Sequence, residues 1–172
     1  MISDTTSGIL AAAAFLLLVA GASKIRGRKE FVSQIRAYAV VPYGAAAVLG
    51  QALPFIEVAT AVVVFADPQL GGLFVAALFS SFGGAMTLNL LRGRRELVCG
   101  CFGPSGRRTI TWTHAVANFV LAAAGAGAAL GHIGPTLPTA IAGISVLLAA
   151  FVVESVLNSA MSPPVASNEE RY

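Results

Sequence analysis

A chain of 172 residues that is 56% hydrophobic and only 11% charged, with a mean hydropathy of +0.79, departs from soluble globular composition, in which about a quarter of residues are charged. A net charge of +3 and a pI of about 9.2 do not mark a nucleic-acid binder. The basic residues bracket apolar stretches and no recognition motif accompanies them. Composition and charge place the chain in a lipid bilayer.

Residues 5–23 carry no charge, long enough for one helix across a membrane, and Lys24, Arg26, Arg28 and Lys29 follow directly. No basic segment precedes this stretch, so it is expected to stay as an anchor and not to be cleaved as a signal peptide. Next, Phe31, Ile35 and Tyr38 recur at helical spacing opposite Lys29, Ser33 and Arg36, which predicts a short interfacial helix ended by Pro42; an ordinary polar connector is the alternative. Residues 37–56, 68–91 and 109–153 are also free of charge, and Gly131-His132-Ile133-Gly134-Pro135 divides the last of these into two.

The expectation is an all-α integral membrane protein with spans at roughly 7–25, 43–66, 69–92, 110–131 and 136–158. Four of them form a compact core bundle, and the fifth is a C-terminal addition. Small residues such as Gly71, Gly72, Gly83, Gly84, Gly125 and Gly127 suit close helix approach in lipid. Residues 1–160 make one domain, and 161–172, with Ser162-Pro163-Pro164, a disordered tail.

In such an alternation all eleven basic residues fall on one side. The positive-inside rule makes that side cytoplasmic, with the N-terminus outside and the C-terminus inside a multi-pass protein of the cell membrane. Ile25-Arg26-Gly27-Arg28-Lys29-Glu30-Phe31 matches Leu91-Arg92-Gly93-Arg94-Arg95-Glu96-Leu97 closely. The match hints at a duplicated helix pair, although stop-transfer signals demand basic residues at both places anyway.

Glu57 lies in mid-span, where a charged side chain costs about 2.5–3.5 kcal/mol on insertion scales, so it is expected to face the bundle interior. It is either a proton relay or ligand contact, or a structural carboxylic acid bonded to Gln51, Asn89 or Asn118. Asn89 and Asn118 read as interhelical hydrogen bonders, with Glu154 as another partner. His114 sits near the cysteines, but three ligands from one short loop leave a tetrahedral metal shell open, so no metal is assigned and a backbone contact is the simpler role. Trp112 reads as an interfacial anchor.

The chemistry concentrates in Cys99-Gly100-Cys101-Phe102-Gly103, which holds both cysteines of the chain. In extended backbone, positions i and i+2 share a face, and a turn at Gly100 brings the sulfurs within reach of a small, strained and therefore reducible disulfide. Arg92, Arg94, Arg95, Arg107 and Arg108 flank the pair and favour thiolate over thiol.

These residues carry a resemblance. Gly21-Ala22-Ser23-Lys24-Ile25, Tyr38-Ala39-Val40-Val41-Pro42, Leu53-Pro54 through Glu57, Arg92-Gly93-Arg94-Arg95, the cysteine pentapeptide, Ile110-Thr111-Trp112 and Asn118-Phe119 together resemble the MauE family of methylamine utilisation membrane proteins, kin to the DoxX group. The likeness covers about residues 8–131. Ala117 departs from it, standing where a basic residue is expected. The resemblance implies a part in maturation or disulfide formation of the methylamine dehydrogenase light chain, beside a thioredoxin-like partner, MauD. A periplasmic client calls for outward-facing thiols, against the charge rule.

Three functions are compatible with these residues. In the first, Cys99 and Cys101 cycle between dithiol and disulfide and exchange with the thioredoxin-like protein through a mixed disulfide. A membrane quinone as second redox partner, which would make the protein a quinone-linked thiol–disulfide oxidoreductase, rests on analogy with other small thiol bundles. The second is a non-catalytic assembly factor with reduced cysteines. The third is a small-molecule carrier using Glu57.

Overall fold

The computed structural model describes residues 2–99 and 109–130. The expected fifth span at 136–158 and the tail lie outside them, as do Gly100–Arg108 with Cys101, Arg107 and Arg108. Five helices occupy the described residues: α1 (Ile2–Arg26), α2 (Arg28–Tyr38), α3 (Tyr43–Ala66), α4 (Pro68–Leu91) and α5 (Trp112–Ala129). Three of them, over Ser7–Arg26, Tyr43–Ala66 and Pro68–Leu91, are long and apolar enough to cross a membrane. α5 has 18 residues, carries Trp112, His114 and Asn118, and packs chiefly against α4.

α1 and α3 each turn one face inward at alternating steps of three and four. On α1 the face runs Leu10, Ala14, Leu17, Gly21 and Lys24; on α3 it runs Gly50, Pro54, Glu57, Ala61 and Val64. These two faces pack antiparallel. A Cβ placed on Gly21 would lie 2.8 Å from the Pro54 carbonyl oxygen and 2.8 Å from Val58 Cγ2, so only glycine permits this approach. α4 and α5 meet in the same way: a Cβ on Gly72 would stand 2.6 Å from the Gly125 carbonyl oxygen, and one on Gly125 2.7 Å from the Gly72 oxygen. Leu10, Leu17, Val64, Val75, Phe79 and Ala122 fill the space between the two pairs.

The outer surface is apolar. Val62, Phe65, Leu73, Phe55, Val116 and Val120 all stand more than half exposed on α3, α4 and α5. Glycines at the helix contacts and large apolar residues on the outside are the arrangement expected where lipid and not water is the solvent.

The connections are short. Asp67 joins α3 to α4 and caps α4, its carboxylate accepting from the backbone N–H of Gln69 at 3.0 Å and of Leu70 at 3.1 Å, with Pro68 at the first helical position. α2 follows α1 after the single residue Gly27 and buries Phe31, as the predicted amphipathic pattern requires. The two matching heptapeptides diverge in structure: Arg28–Phe31 enters α2, whereas after Leu91 the chain turns at Gly93, with φ +76, and leaves helix altogether. Their likeness is therefore one of charge at a helix end and not of a repeated fold.

Candidate functional site

The segment after α4 returns to the bundle through two apolar anchors. Leu97 and Ile110 are buried with Met86, Leu90 and Ala115, and Cys99 packs against this cluster beside Tyr38. Ile110 N–H donates to the Leu97 carbonyl at 2.9 Å, and Val98 and Thr109 form an isolated antiparallel bridge. Cys99 is thus the last described residue of a pinned base, half-buried at the end of the bundle where α1 and α4 finish. Cys101, Arg107 and Arg108 lie beyond that base and outside the described residues.

Arginines hold the base in place. Arg94 donates to the carbonyl of Ala37 at 2.7 Å, to that of Tyr38 at 3.5 Å and to Asn89 Oδ1 at 3.1 Å, while Arg92 donates to the Ala39 carbonyl at 3.4 Å. Ala37 and Tyr38 close α2 and Ala39, in the left-handed region at φ +49, caps it, so these carbonyls lack partners within the helix. The guanidinium groups supply the missing donors and set positive charge at the negative end of the α2 dipole. Arg92 and Arg94, expected to tune the thiols, thereby join the cysteine-bearing segment to α2. Arg95 is exposed beside them.

Asn89 and Asn118 are buried but bond mainly within their own helices. Asn89 donates to the Ala85 carbonyl at 3.0 Å and Asn118 to that of His114 at 2.8 Å; the one contact between helices is Asn118 Nδ2 to Met86 Sδ, at 3.7 Å. The expected partner Glu154 lies outside the described residues. His114 sits in the first turn of α5 with Nδ1 2.8 Å from the hydroxyl of Thr111, the N-cap. Among the described residues no three His, Cys, Asp or Glu side chains group as metal ligands would.

A second polar centre lies deeper. Glu57 is fully buried, and its partner is Lys24 of α1, whose ammonium donates to Oε1. This corrects two expectations: Glu57 does not pair with Gln51, Asn89 or Asn118, and Lys24 is not one of the solvated charges that end the first span. The cause is register. Lys24 continues the inward Leu10-Ala14-Leu17-Gly21 face, and glycine at 21 lets α1 come close enough for the ammonium to reach α3. The Lys24 ammonium also lies 4.9 Å from the Phe31 ring centre and 5.4 Å from that of Phe82, so one cation ties together α1, α2, α3 and α4. Glu57 Oε2 is buried without a hydrogen-bond partner. Besides Lys24, the sequence reading passed over Gln34, a polar residue three positions after Phe31 on the inward side of α2 whose Oε1 is likewise buried and unpartnered.

Comparison with known proteins gives one consistent result. The family "Methylamine utilisation protein MauE" matches residues 3–131. Proteins named methylamine utilization protein MauE are similar to the chain in Paracoccus denitrificans, 34% identical over 130 residues that cover 74% of this chain and 67% of the relative, and in Paracoccus versutus, 33% identical over 67% of this chain and 63% of the relative. The Methylophilus methylotrophus protein of the same name is 29% identical over 127 residues, 71% of this chain and 67% of the relative. The chain thus spans about two thirds of the length of these curated relatives. No solved structure matches it. Long apolar helices and this kinship together make it a multi-pass membrane protein, and a family match over most of its described helices means that the chain belongs to the MauE family.

Proposed function

We propose that the protein is a thiol–disulfide redox component of methylamine utilisation, in which Cys99 and Cys101 alternate between dithiol and disulfide. The observation that carries the reading is the spacing of the two cysteines one residue apart in the sequence, with Cys99 directly after a base pinned by Leu97, Ile110 and the Val98–Thr109 bridge. A pair one residue apart closes a strained ring, which favours exchange over stapling. Arg92, Arg94, Arg95, Arg107 and Arg108 flank the pair in sequence, and their positive charge favours the thiolate.

In this reading the client is the light chain of methylamine dehydrogenase, and a thioredoxin-like, MauD-like protein exchanges with the pair through a mixed disulfide. Electrons pass to or from a membrane quinone. The rival reading of Glu57 as a carrier's ligand group loses ground to its pairing with Lys24, which occupies Oε1.

The test is genetic and chemical together. In a strain lacking its own MauE, the wild-type chain is expected to restore growth on methylamine, and the Cys99→Ser/Cys101→Ser chain to fail at equal membrane abundance. A single serine variant is expected to trap the thioredoxin-like protein as a band on non-reducing gels that the double variant lacks. Full growth with the double serine chain would overturn the redox role in favour of an assembly factor.

A further inference from the structure

A helix at the rim of a bundle in lipid buries the face it shares and leaves the opposite one to the acyl chains. α3, α4 and α5 do so near the Asp67 end, where Val62 and Phe65, Leu70 and Leu73, and Ala123 and Ala126 are exposed. α1 does not. Between residues 7 and 17 none of its side chains is exposed, and Leu10, Ala11, Ala12, Ala13 and Ala14, which at 3.6 residues per turn go round more than a full turn, are at most 4% accessible. Gly8 and Ala12 lie opposite the inward Leu10-Ala14-Leu17-Gly21 line and are buried all the same. Apolar and covered on every side, this part of α1 has the character of a central helix.

The described neighbours leave its outward face open. α3 and α5 meet α1 on its core side, where Leu10 and Ala13 cluster with Ala61, Val64, Ala122 and Ala128, and α4 adds little. α2 and the cysteine-bearing segment lie past the opposite end of α1, bonded to each other through Arg92 and Arg94. Residues 100–108 start and finish at that same end and extend at most about 16 Å out and back, whereas Ala12 lies about 21 Å along α1 from Arg26. What is left is the chain after Leu130. It starts in the right place, because Ala128, in the last turn of α5, shares a cluster with Leu10.

We infer that the uncharged stretch 136–153 packs along the outward face of α1, over Gly8, Ala12 and Leu16, and makes α1 the central helix of the bundle. At about 1.5 Å per residue the stretch is roughly 27 Å long as a helix, close to the ~30 Å of a bilayer core. Thr139 and Gly143 are four apart, as Gly8 and Ala12 are, so small residues can meet small ones where only close approach holds helices together. Charge agrees with the direction: a stretch that starts beside the end of α5 runs back toward the basic end and carries Glu154 to where Arg26, Arg28 and Lys29 are exposed. The fifth span thereby belongs to the core, although it lies outside the residues 3–131 that the family shares.

The experiment uses the full chain in membranes, with Cys99→Ser, Cys101→Ser and Ala12→Cys, a second cysteine at each position from 139 to 146 in turn, and a protease site within 131–135. After mild oxidation and cleavage, the two fragments are expected to stay joined on non-reducing gels at positions three or four apart and to separate at those between. Ala12→Leu, which enlarges the covered face, is expected to lower the melting temperature by about 5 °C, and Val19→Leu, on the same side but exposed, to leave it unchanged. If the fragments separate at every position and Ala12→Leu melts like the wild type, lipid covers α1 and the inference is overturned. A disulfide-linked dimer formed by Ala12→Cys alone overturns it in favour of a second copy of the chain. Should the cysteine chains fail to fold, the comparison of Ala12→Leu with Val19→Leu decides.

Discussion

Lys24 and Glu57 show what one charge pair does inside an apolar bundle. Their side chains are almost wholly inaccessible, and the ammonium has two aromatic rings and one carboxylate oxygen around it. Removing a single partner leaves a buried charge with nothing to oppose it, whereas removing both leaves only apolar packing to adjust. Lys24→Met is therefore expected to destabilise the protein by about 3–5 kcal/mol, and Lys24→Met combined with Glu57→Leu by less than Lys24→Met alone. Unfolding in detergent over the double-mutant cycle measures this coupling. A Lys24→Met variant as stable as the wild type would show that the pair holds nothing. The presence of an intramembrane carboxylate at Glu57 was legible from its place in an uncharged span. Its partner was hidden because a lysine at the end of a span has two explanations, topology and burial, and only the heptad-like register of Leu10, Ala14, Leu17 and Gly21 selects the second.

At the scale of helices, apolar burial contributes nothing to association in lipid, so the close glycine contacts carry the packing. Gly21 and Gly84 provide an internal comparison. A methyl group on Gly21 strikes the Pro54 carbonyl and Val58, while one on Gly84 meets no atom within 4 Å. Gly21→Ala is expected to cost about 1–3 kcal/mol through overpacking, and to weaken the Lys24–Glu57 pair by pushing α1 from α3. Gly84→Ala should be neutral or stabilising by about 0.5–1 kcal/mol, since alanine is the better helix former. Equal melting temperatures for the two variants would contradict the close approach of α1 and α3. Three of the spans were readable from hydropathy, and the short helix α2 from the Phe31, Ile35 and Tyr38 spacing. The pinning of the cysteine segment to α2 was not, because arginines after a span satisfy the topology rule wherever their side chains reach. Only contacts distant in sequence, Arg94 to Ala37 and Arg92 to Ala39, reveal that they cap a helix.

Among the described residues the exposed basic side chains gather at one end of the molecule. Arg26, Arg28, Lys29 and Arg36 of α1 and α2 stand with Arg92, Arg94 and Arg95 at one end, a grouping fixed by the bonds between Arg92, Arg94 and the close of α2. The other end carries Asp67 between α3 and α4. Burial of Lys24 removes one cation from the count without altering the asymmetry, because the remaining basic residues of the described helices still share that end. By the positive-inside rule Cys99 is expected in the cytoplasm and the Asp67 turn outside. In intact, fully reduced cells a membrane-impermeant maleimide is expected to leave Cys99 and Cys101 unmodified until the membrane is opened. Gln69→Cys, introduced at an exposed position into a chain with both native cysteines replaced by serine, is expected to react at once. The opposite pattern would put the basic end outside and let the thiols meet a periplasmic client directly. With the expected pattern, the thiols lie across the membrane from such a client, and the two electrons of each disulfide exchanged have to cross the bilayer to reach it.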